Sequence, residues 1–167
     1  KSIAVCGDPE ARHGIVLTAS YPAKRMGVKT GMPIWEAKQH CRDLIIFPAS
    51  YGKYQKYSGY VREVFNDYTD QVESFGLDEA WLDITGSVGL FGSPVKIAKE
   101  ISARIKRELG ITVSIGVSFN KITAKLGSDY KKPDAITIIE PENYKEIVYP
   151  LPARDLLYVG AATQRKL

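Results

Sequence analysis

The sequence is poor in the residues that most readily betray a function. Of its 167 residues only two are cysteine, Cys6 and Cys41, and only two are histidine, His13 and His40. Two cysteines make no disulfide framework, and neither has a second Cys or a His at the short spacing of a zinc site. Both are expected as reduced, mostly buried thiols of a cytoplasmic protein. The histidines stand alone, which argues for surface positions and against a His-ligated metal. No apolar run approaches the ~18 residues that would cross a bilayer, and no signal-peptide pattern is present. Repeats and low-complexity segments are absent. Charge of one sign is scarce as well. Lys and Arg number 23 against 19 Asp and Glu, and the net +4 leans toward an anionic partner without demanding one. What is abundant is ordinary: 44% hydrophobic and 25% charged residues exclude a disordered chain. The length suits one good core, or one domain with a small lobe. The chain opens on Lys1 without an initiator Met and is read as a fragment.

Hydrophobic patterning predicts short elements first and longer ones later. Residues 2–6 and 14–20 read as strands, with turn chemistry across Gly7–His13 between them. A short helix is predicted over Tyr21–Gly27, with Pro22 in its first turn and Gly27 after its end, and another over 33–41, opened by Pro33. Leu44–Phe47 is a short strand. This first third forms a small basic lobe. Farther on, Tyr57, Val61, Val64, Phe65 and Tyr68 place one apolar stripe on a helix over 54–69. A hairpin occupies about 71–85. Ser93-Pro94 starts a helix whose stripe of Ile97, Ile101, Ile105 and Leu109 ends at Gly110. Alternation over 111–119 predicts a half-buried strand, Asn120 caps a helix through Tyr130, Pro133-Asp134 turns, and Ala135–Ile139 is a last strand. Residues 141–149, 152–157 and 160–167 read as short helical pieces. The fold class is α+β. The central order of helix, strand, strand, helix, strand is a ferredoxin-like βαββαβ unit without its first strand. Either residues 2–6 or 14–20 supply that strand, or it lies upstream of Lys1.

Within the hairpin, Asp78 and Glu79 interrupt a run of strand-forming residues, with Val72, Ser74 and Phe75 before them and Trp81, Leu82, Ile84 and Thr85 after. Two adjacent carboxylates are comfortable when solvated, or when a cation sits between them and a phosphate. Two basic clusters could reach phosphates, Lys24-Arg25 and Lys131-Lys132, and Thr18 and Tyr21 add hydroxyl donors beside the first. Phosphoryl transfer uses such parts: carboxylate-held metal ions, and cations that position phosphates. Taken singly, each also has a plain structural reading, since turns favour Asp and helix ends favour basic residues. Asp83, inside the second hairpin strand, faces solvent or bonds within the sheet and is given no metal role. Tyr51, Tyr54, Tyr57 and Tyr60 step at i+3 and are expected as a core or half-exposed stripe rather than a base-stacking ladder.

Together these stretches resemble the Y-family translesion DNA polymerases of the DinB (polymerase IV) type, over nearly the whole chain. Thr18-Ala19-Ser20-Tyr21-Pro22-Ala23-Lys24-Arg25-Met26-Gly27-Val28 looks like the family's fingers motif, and Leu77-Asp78-Glu79-Ala80-Trp81-Leu82-Asp83 like its palm carboxylate motif. Gly116 through Lys121, with Ala124-Lys125-Leu126 and Ser128 through Pro133, is similar to a third signature. The resemblance implies a ferredoxin-like palm over 51–139, a small α/β fingers lobe over 1–50, and the start of a helix-hairpin-helix thumb over 140–167. It implies Asp78 and Glu79 as catalytic and metal-binding residues, Thr18, Tyr21, Lys24, Arg25 and Lys132 as nucleotide-binding, and Leu17 and Gly31 as cover for the nascent base pair. Two Mg²⁺ ions are the implied cofactors. Primer-template DNA and a deoxynucleoside triphosphate are the implied partners, with a sliding clamp engaged through a C-terminal region.

The chain also departs from the family pattern. Lys24 stands where Arg is usual and keeps the charge without the bidentate fork. Gly76 replaces a common Ser, Trp81 the usual Tyr or Phe, and Tyr158 the first Gly of the thumb hairpin. The family's first palm strand, with another catalytic Asp and an aromatic steric gate, has no counterpart, and Asp8 has the wrong context to replace that Asp. The fragment alone is therefore expected not to polymerise. Two alternatives stand beside this reading. One is a non-catalytic nucleic-acid-binding or partner-binding relative. The other is a diguanylate cyclase, which Leu77 and Ala80 disfavour by breaking the Gly-Gly-Asp-Glu-Phe pattern.

Overall fold

The computed structural model describes residues 1–7 and 14–166. Most of the turn expected over Gly7–His13, including Asp8 and His13, lies outside the described residues. The chain divides into two compact units, Lys1–Tyr54 and Gln55–Leu167.

The first unit is built on a three-stranded sheet. Strand β1 (Ile3–Cys6) pairs antiparallel with β2 (Val16–Ala19) and parallel with β3 (Ile45–Pro48). Between β2 and β3 run α1 (Tyr21–Arg25), with proline in its first turn, and α2 (Ile34–His40), entered from Pro33. Period-2 alternation puts Ala4 and Cys6 of β1 inward, where both are fully buried. Val16, Ala19, Ala23, Val28, Met32, Ala37, Cys41 and Leu44 complete the core. Small side chains dominate it, which lets short helices lie close to a short sheet. Ile45 and Phe47 of β3 stay 40% and 49% exposed, as an edge strand allows. Both cysteines are free and buried, and burial raises the pKa of Cys6.

The second unit contains most of α3 (Tyr51–Asn66), whose first turn falls in the first unit. Strands β4 (Val72–Phe75) and β5 (Glu79–Leu82) form the hairpin. A 3₁₀ turn at Thr85–Ser87 and the short α4 (Val88–Phe91) lead to α5 (Pro94–Leu109). Ser93 caps α5 by accepting from the Lys96 amide at 3.3 Å, and Gly110 closes it with φ of 68°. Then come β6 (Ile115–Ser118), α6 (Lys121–Tyr130), β7 (Ile136–Ile139), α7 (Tyr144–Val148), a 3₁₀ turn at Ala153–Asp155 and α8 (Ala161–Gln164). Val64, Tyr68, Ile97, Ile101 and Ile105 are the core between α3 and α5. The expected stripe is thus present, except that Tyr57 is 43% exposed. The tyrosines at 51, 54, 57 and 60 are all exposed and meet edge to face in pairs, Tyr51 with Tyr54 and Tyr57 with Tyr60.

The mixed α+β class agrees with the sequence reading, and helix, strand, strand, helix, strand follow in the expected order. Neither candidate for the missing strand joins them. Residues 3–6 pair with 16–19 on one side and with β3 on the other, while β4–β5 and the parallel β6–β7 remain separate two-stranded sheets. The strand predicted over 111–119 begins only at Ile115. A strand exists where a neighbour accepts its hydrogen bonds, and β7 reaches no farther than the Ile115–Ile136 pair.

The β6–α6–β7 unit packs unusually tightly. A Cβ built on Gly116 would lie 1.9 Å from the Ala124 carbonyl oxygen, so α6 rests on bare β6 backbone, and Gly127 of α6 faces Gly116 in turn. Beneath the helix, Thr137 is 4% exposed and its hydroxyl has no hydrogen-bond partner among the described residues. Replacing that hydroxyl by a methyl of the same shape removes an unmet polar group, so Thr137→Val is expected to raise the unfolding free energy by about 1 kcal/mol. A urea melt that shows destabilisation instead would contradict the orphaned hydroxyl.

A candidate active site at the carboxylate hairpin

The hairpin register pairs Phe75 with Glu79 and Ser74 with Ala80, leaving Gly76-Leu77-Asp78 as the turn. Gly76 has φ of +74°, which glycine adopts without strain. Asp78 therefore projects from the turn and is exposed, whereas Glu79 is the first residue of β5 with its side chain 32% exposed. The turn is clamped from α3. Arg62 donates from Nη1 to Ser74 Oγ at 2.5 Å and from Nη2 to the Gly76 carbonyl at 2.8 Å. On β5, Trp81 Nε1 donates to the Lys121 carbonyl at 3.1 Å, and the Lys121 ammonium pairs with Glu73. The start of α6 is thereby tied to the hairpin. Asp83 is exposed and accepts from the Thr85 amide at 2.9 Å, and hydrogen bonding to Thr85 lowers its pKa.

Helix α6 carries charges toward the same place. Asn120 caps it, accepting from the Thr123 amide at 3.0 Å. Lys125, only 15% exposed, stands 3.2 Å from Glu79 Oε1 and 2.5 Å from Asp129 Oδ2. Lys132 binds the other oxygen of Asp129 at 2.5 Å. Burial opposes the charge on Lys125, but its bonds to Asp129 and Glu79 outweigh that and raise its pKa. Burial likewise opposes the charge on Asp129, and the two lysines outweigh it to hold the carboxyl below its ordinary range. The result is a row of alternating signs, Glu79, Lys125, Asp129, Lys132. A cavity of about 510 Å³ opens beside it, lined by Lys125, Asp129 and residues 155–160. At its rim Tyr158 has φ of +68°, a left-handed conformation that suits glycine, and its ring meets Phe75 edge-on at 6.4 Å.

The remaining expected residues belong to the first unit. Thr18 is exposed on β2 beside half-buried Leu17. Tyr21, Lys24 and Arg25 are exposed on α1, with Lys24 Nζ 5.4 Å from the centre of the Tyr21 ring. Gly31 has φ of +82° and is anchored by its amide to the Val16 carbonyl at 2.8 Å. The structure thus gathers Asp78, Glu79 and Lys132 in one unit and Thr18, Tyr21, Lys24 and Arg25 in the other. Sequence reasoning gave no role to Arg62, Lys125 and Asp129. The i, i+4 spacing of Lys125 and Asp129 on a capped helix was the available signal; Arg62 left none.

Among the described residues no group of three or more His, Cys, Asp or Glu is placed to hold a metal ion. Two adjacent carboxylates still fit Mg²⁺, a hard cation usually held by one or two carboxylates plus substrate phosphates rather than by an all-protein cage.

Known proteins bear on this site. Over all 167 residues the chain is 56% identical to the DNA polymerase IV of Acetivibrio thermocellus and covers 42% of it. It is 41% identical to DNA polymerase IV 1 of Bacillus subtilis over the same 167 residues, 40% of that protein. It therefore spans less than half the length of these relatives. Among solved structures, the insertion ternary complex of Dbh DNA polymerase matches all of the chain with a TM-score of 0.90 at 33% identity, over 49% of its own length. DinB from Sulfolobus solfataricus matches with a TM-score of 0.89 at 32% identity, again over the whole chain and 49% of that protein. The family described as IMS, impB/mucB/samB, matches residues 1–129, from the first strand to the middle of the α6 charge row. With the whole first unit, the carboxylate hairpin and the second unit as far as Asp129 inside that match, the chain belongs to the impB/mucB/samB family.

Proposed function

We infer that this chain is the nucleotide-handling part of a translesion DNA polymerase, transferring deoxynucleotides to a primer 3′ end opposite template that includes damaged bases. The observation that carries the reading is the clamped hairpin turn, which presents Asp78 and Glu79 beside a charge row ending in Lys132. In this reading residues 1–50 are the fingers, 51–139 the palm and 140–167 the start of the thumb. Asp78 and Glu79 are the residues that would hold Mg²⁺. When bound, Mg²⁺ would lower the charge on the reacting phosphate and favour an activated oxygen nucleophile. The rest of the work is positioning. Lys132, Thr18 and Tyr21 hold the triphosphate. Lys24 and Arg25 add charge to the same task, and Leu17 and Gly31 cover the nascent pair. Among the described residues nothing lies within 4 Å of a side chain built at Gly31, in keeping with a loosely covered base pair. Arg62 keeps the turn, and with it Asp78, in one place. Participation in DNA repair, recruitment by a sliding clamp and a cytoplasmic location belong to the same proposal.

The test is a chimera in which this chain replaces the matching 42% of the Acetivibrio thermocellus polymerase. With Mg²⁺, primer-template and deoxynucleotides, the chimera is expected to extend the primer. A folded chimera that binds DNA yet extends nothing, beside an active parent, would refute the reading.

A further inference from the structure

Lys125 has no assigned part in the chemistry, yet its placement is costly. Its side chain is 15% exposed, against 58% for Lys121 and 44% for Lys132 on the same stretch. It stands on the stretch where α6 lies on the bare backbone of Gly116, with Gly127 facing it. A long cation in such a place needs carboxylate partners. It has two, Asp129 at 2.5 Å and Glu79 at 3.2 Å. Under the proposed function, on which the role of Lys125 rests, Glu79 must also serve a divalent cation.

We propose that Lys125 is a positioning residue that acts as the resident counter-cation of Glu79. It keeps the carboxylate in one orientation when no divalent ion is present, and its charge holds the affinity of the Asp78–Glu79 pair for a divalent ion low. The row Glu79, Lys125, Asp129, Lys132 cancels in charge, and Arg62 on the same turn offsets Asp78, so the neighbourhood carries little net negative charge. A metal ion arriving by itself meets little attraction and an ammonium in its way. A metal ion arriving with a triphosphate brings its own negative charge, and those phosphates also engage Lys132. That releases one oxygen of Asp129, whose remaining bond draws Lys125 away from Glu79. Metal entry is thereby made conditional on nucleotide.

Two neighbouring substitutions should then act with opposite signs, which a merely structural salt bridge does not produce. Lys125→Gln removes the competing charge, and Mn²⁺ titrated into the 167-residue chain without nucleotide, followed by the electron paramagnetic resonance of the free ion, should bind about tenfold more tightly. Removing one unit charge about 5 Å from a divalent ion has roughly that effect even at the dielectric constant of water. Lys125→Arg should retain the weak binding. Asp129→Asn leaves Lys125 with Glu79 as its one carboxylate partner among the described residues and should weaken Mn²⁺ binding further. If Lys125→Gln does not fold, as judged by circular dichroism, Lys125→Arg and Asp129→Asn still decide the matter. Both variants shifting Mn²⁺ affinity upward, or Lys125→Gln leaving it unchanged, overturns the inference. Should the gain in Lys125→Gln survive the added substitution Glu79→Gln, the ion is elsewhere, and the metal role of the pair falls with the inference. Primer extension by the chimera reports on the function separately, so an active chimera with an unresponsive Lys125→Gln sinks this inference alone.

Discussion

Asp78→Ala in the polymerase chimera should lower primer extension about a thousandfold or more while leaving the fold intact. The size reflects the role of the residue: a carboxylate that holds the metal contributes to stabilising charge that develops on the transferring phosphate, and losing one such preorganised group typically costs about 10²–10³ in rate, more when a metal leaves with it. The innocence of the substitution toward stability comes from geometry. Asp78 is exposed at a turn whose shape is held by Arg62 and by the positive φ of Gly76, neither of which depends on the Asp78 side chain. Its melting behaviour should therefore stay within about 0.5 kcal/mol of the parent. Extension rates under single-turnover conditions, compared with a urea melt of the same preparation, check both halves. Extension that survives Asp78→Ala would move the metal site off this hairpin.

Gly116→Ala is expected to cost about 3 kcal/mol of unfolding free energy, at the upper end of overpacking effects. The added methyl would meet the Ala124 carbonyl oxygen at 1.9 Å and the Ser128 amide nitrogen at 2.6 Å. Both are backbone atoms, so no rotamer change relieves the clash and α6 has to lift from β6. Lys125 and Lys132 would move with it, and the row linking Glu79 to Lys132 would break. Glycine at 59 supplies the contrast. It lies in the interior of α3 with nothing within 4 Å of a built Cβ, so Gly59→Ala should gain about 1 kcal/mol from the stiffer unfolded chain. Chemical denaturation of the two variants side by side tests the packing directly. A cost below about 1 kcal/mol for Gly116→Ala would mean that helix and strand stand farther apart than these contacts require.

The hairpin was legible because its signals are local. β-branched and aromatic residues flank a turn with glycine at its first position, and the acid pair fell at that turn as expected. Helix α5 was equally plain, since Ser93 and Gly110 act within one turn of its ends. What escaped were contacts between distant positions. Arg62 precedes its turn by 14 residues and looks like any charged residue on a helix face. Lys125 sits in a stretch already noted for its likeness to a family signature, but its partner Glu79 stands on a strand far away in the chain. No periodicity encodes that. The over-long strand at 111–119 failed for a related reason, because alternation records which face is apolar and not whether a partner strand is there. Tyr57 likewise fits a helical stripe in sequence yet remains exposed, there being more aromatic surface on α3 than the core takes up.

The small side chains inside the first unit carry a consequence for motion. Alanine, valine and cysteine supply most of its buried set, whereas isoleucines of α5 fill the second. Each small side chain takes less apolar area out of water than an isoleucine does, so each core contact of the first unit costs less to open. Backbone amides of β1 and β2 should exchange with deuterium sooner than those of α5. The unit that carries Leu17 and Gly31, proposed to cover the base pair, would then be the one that opens and recloses locally most readily.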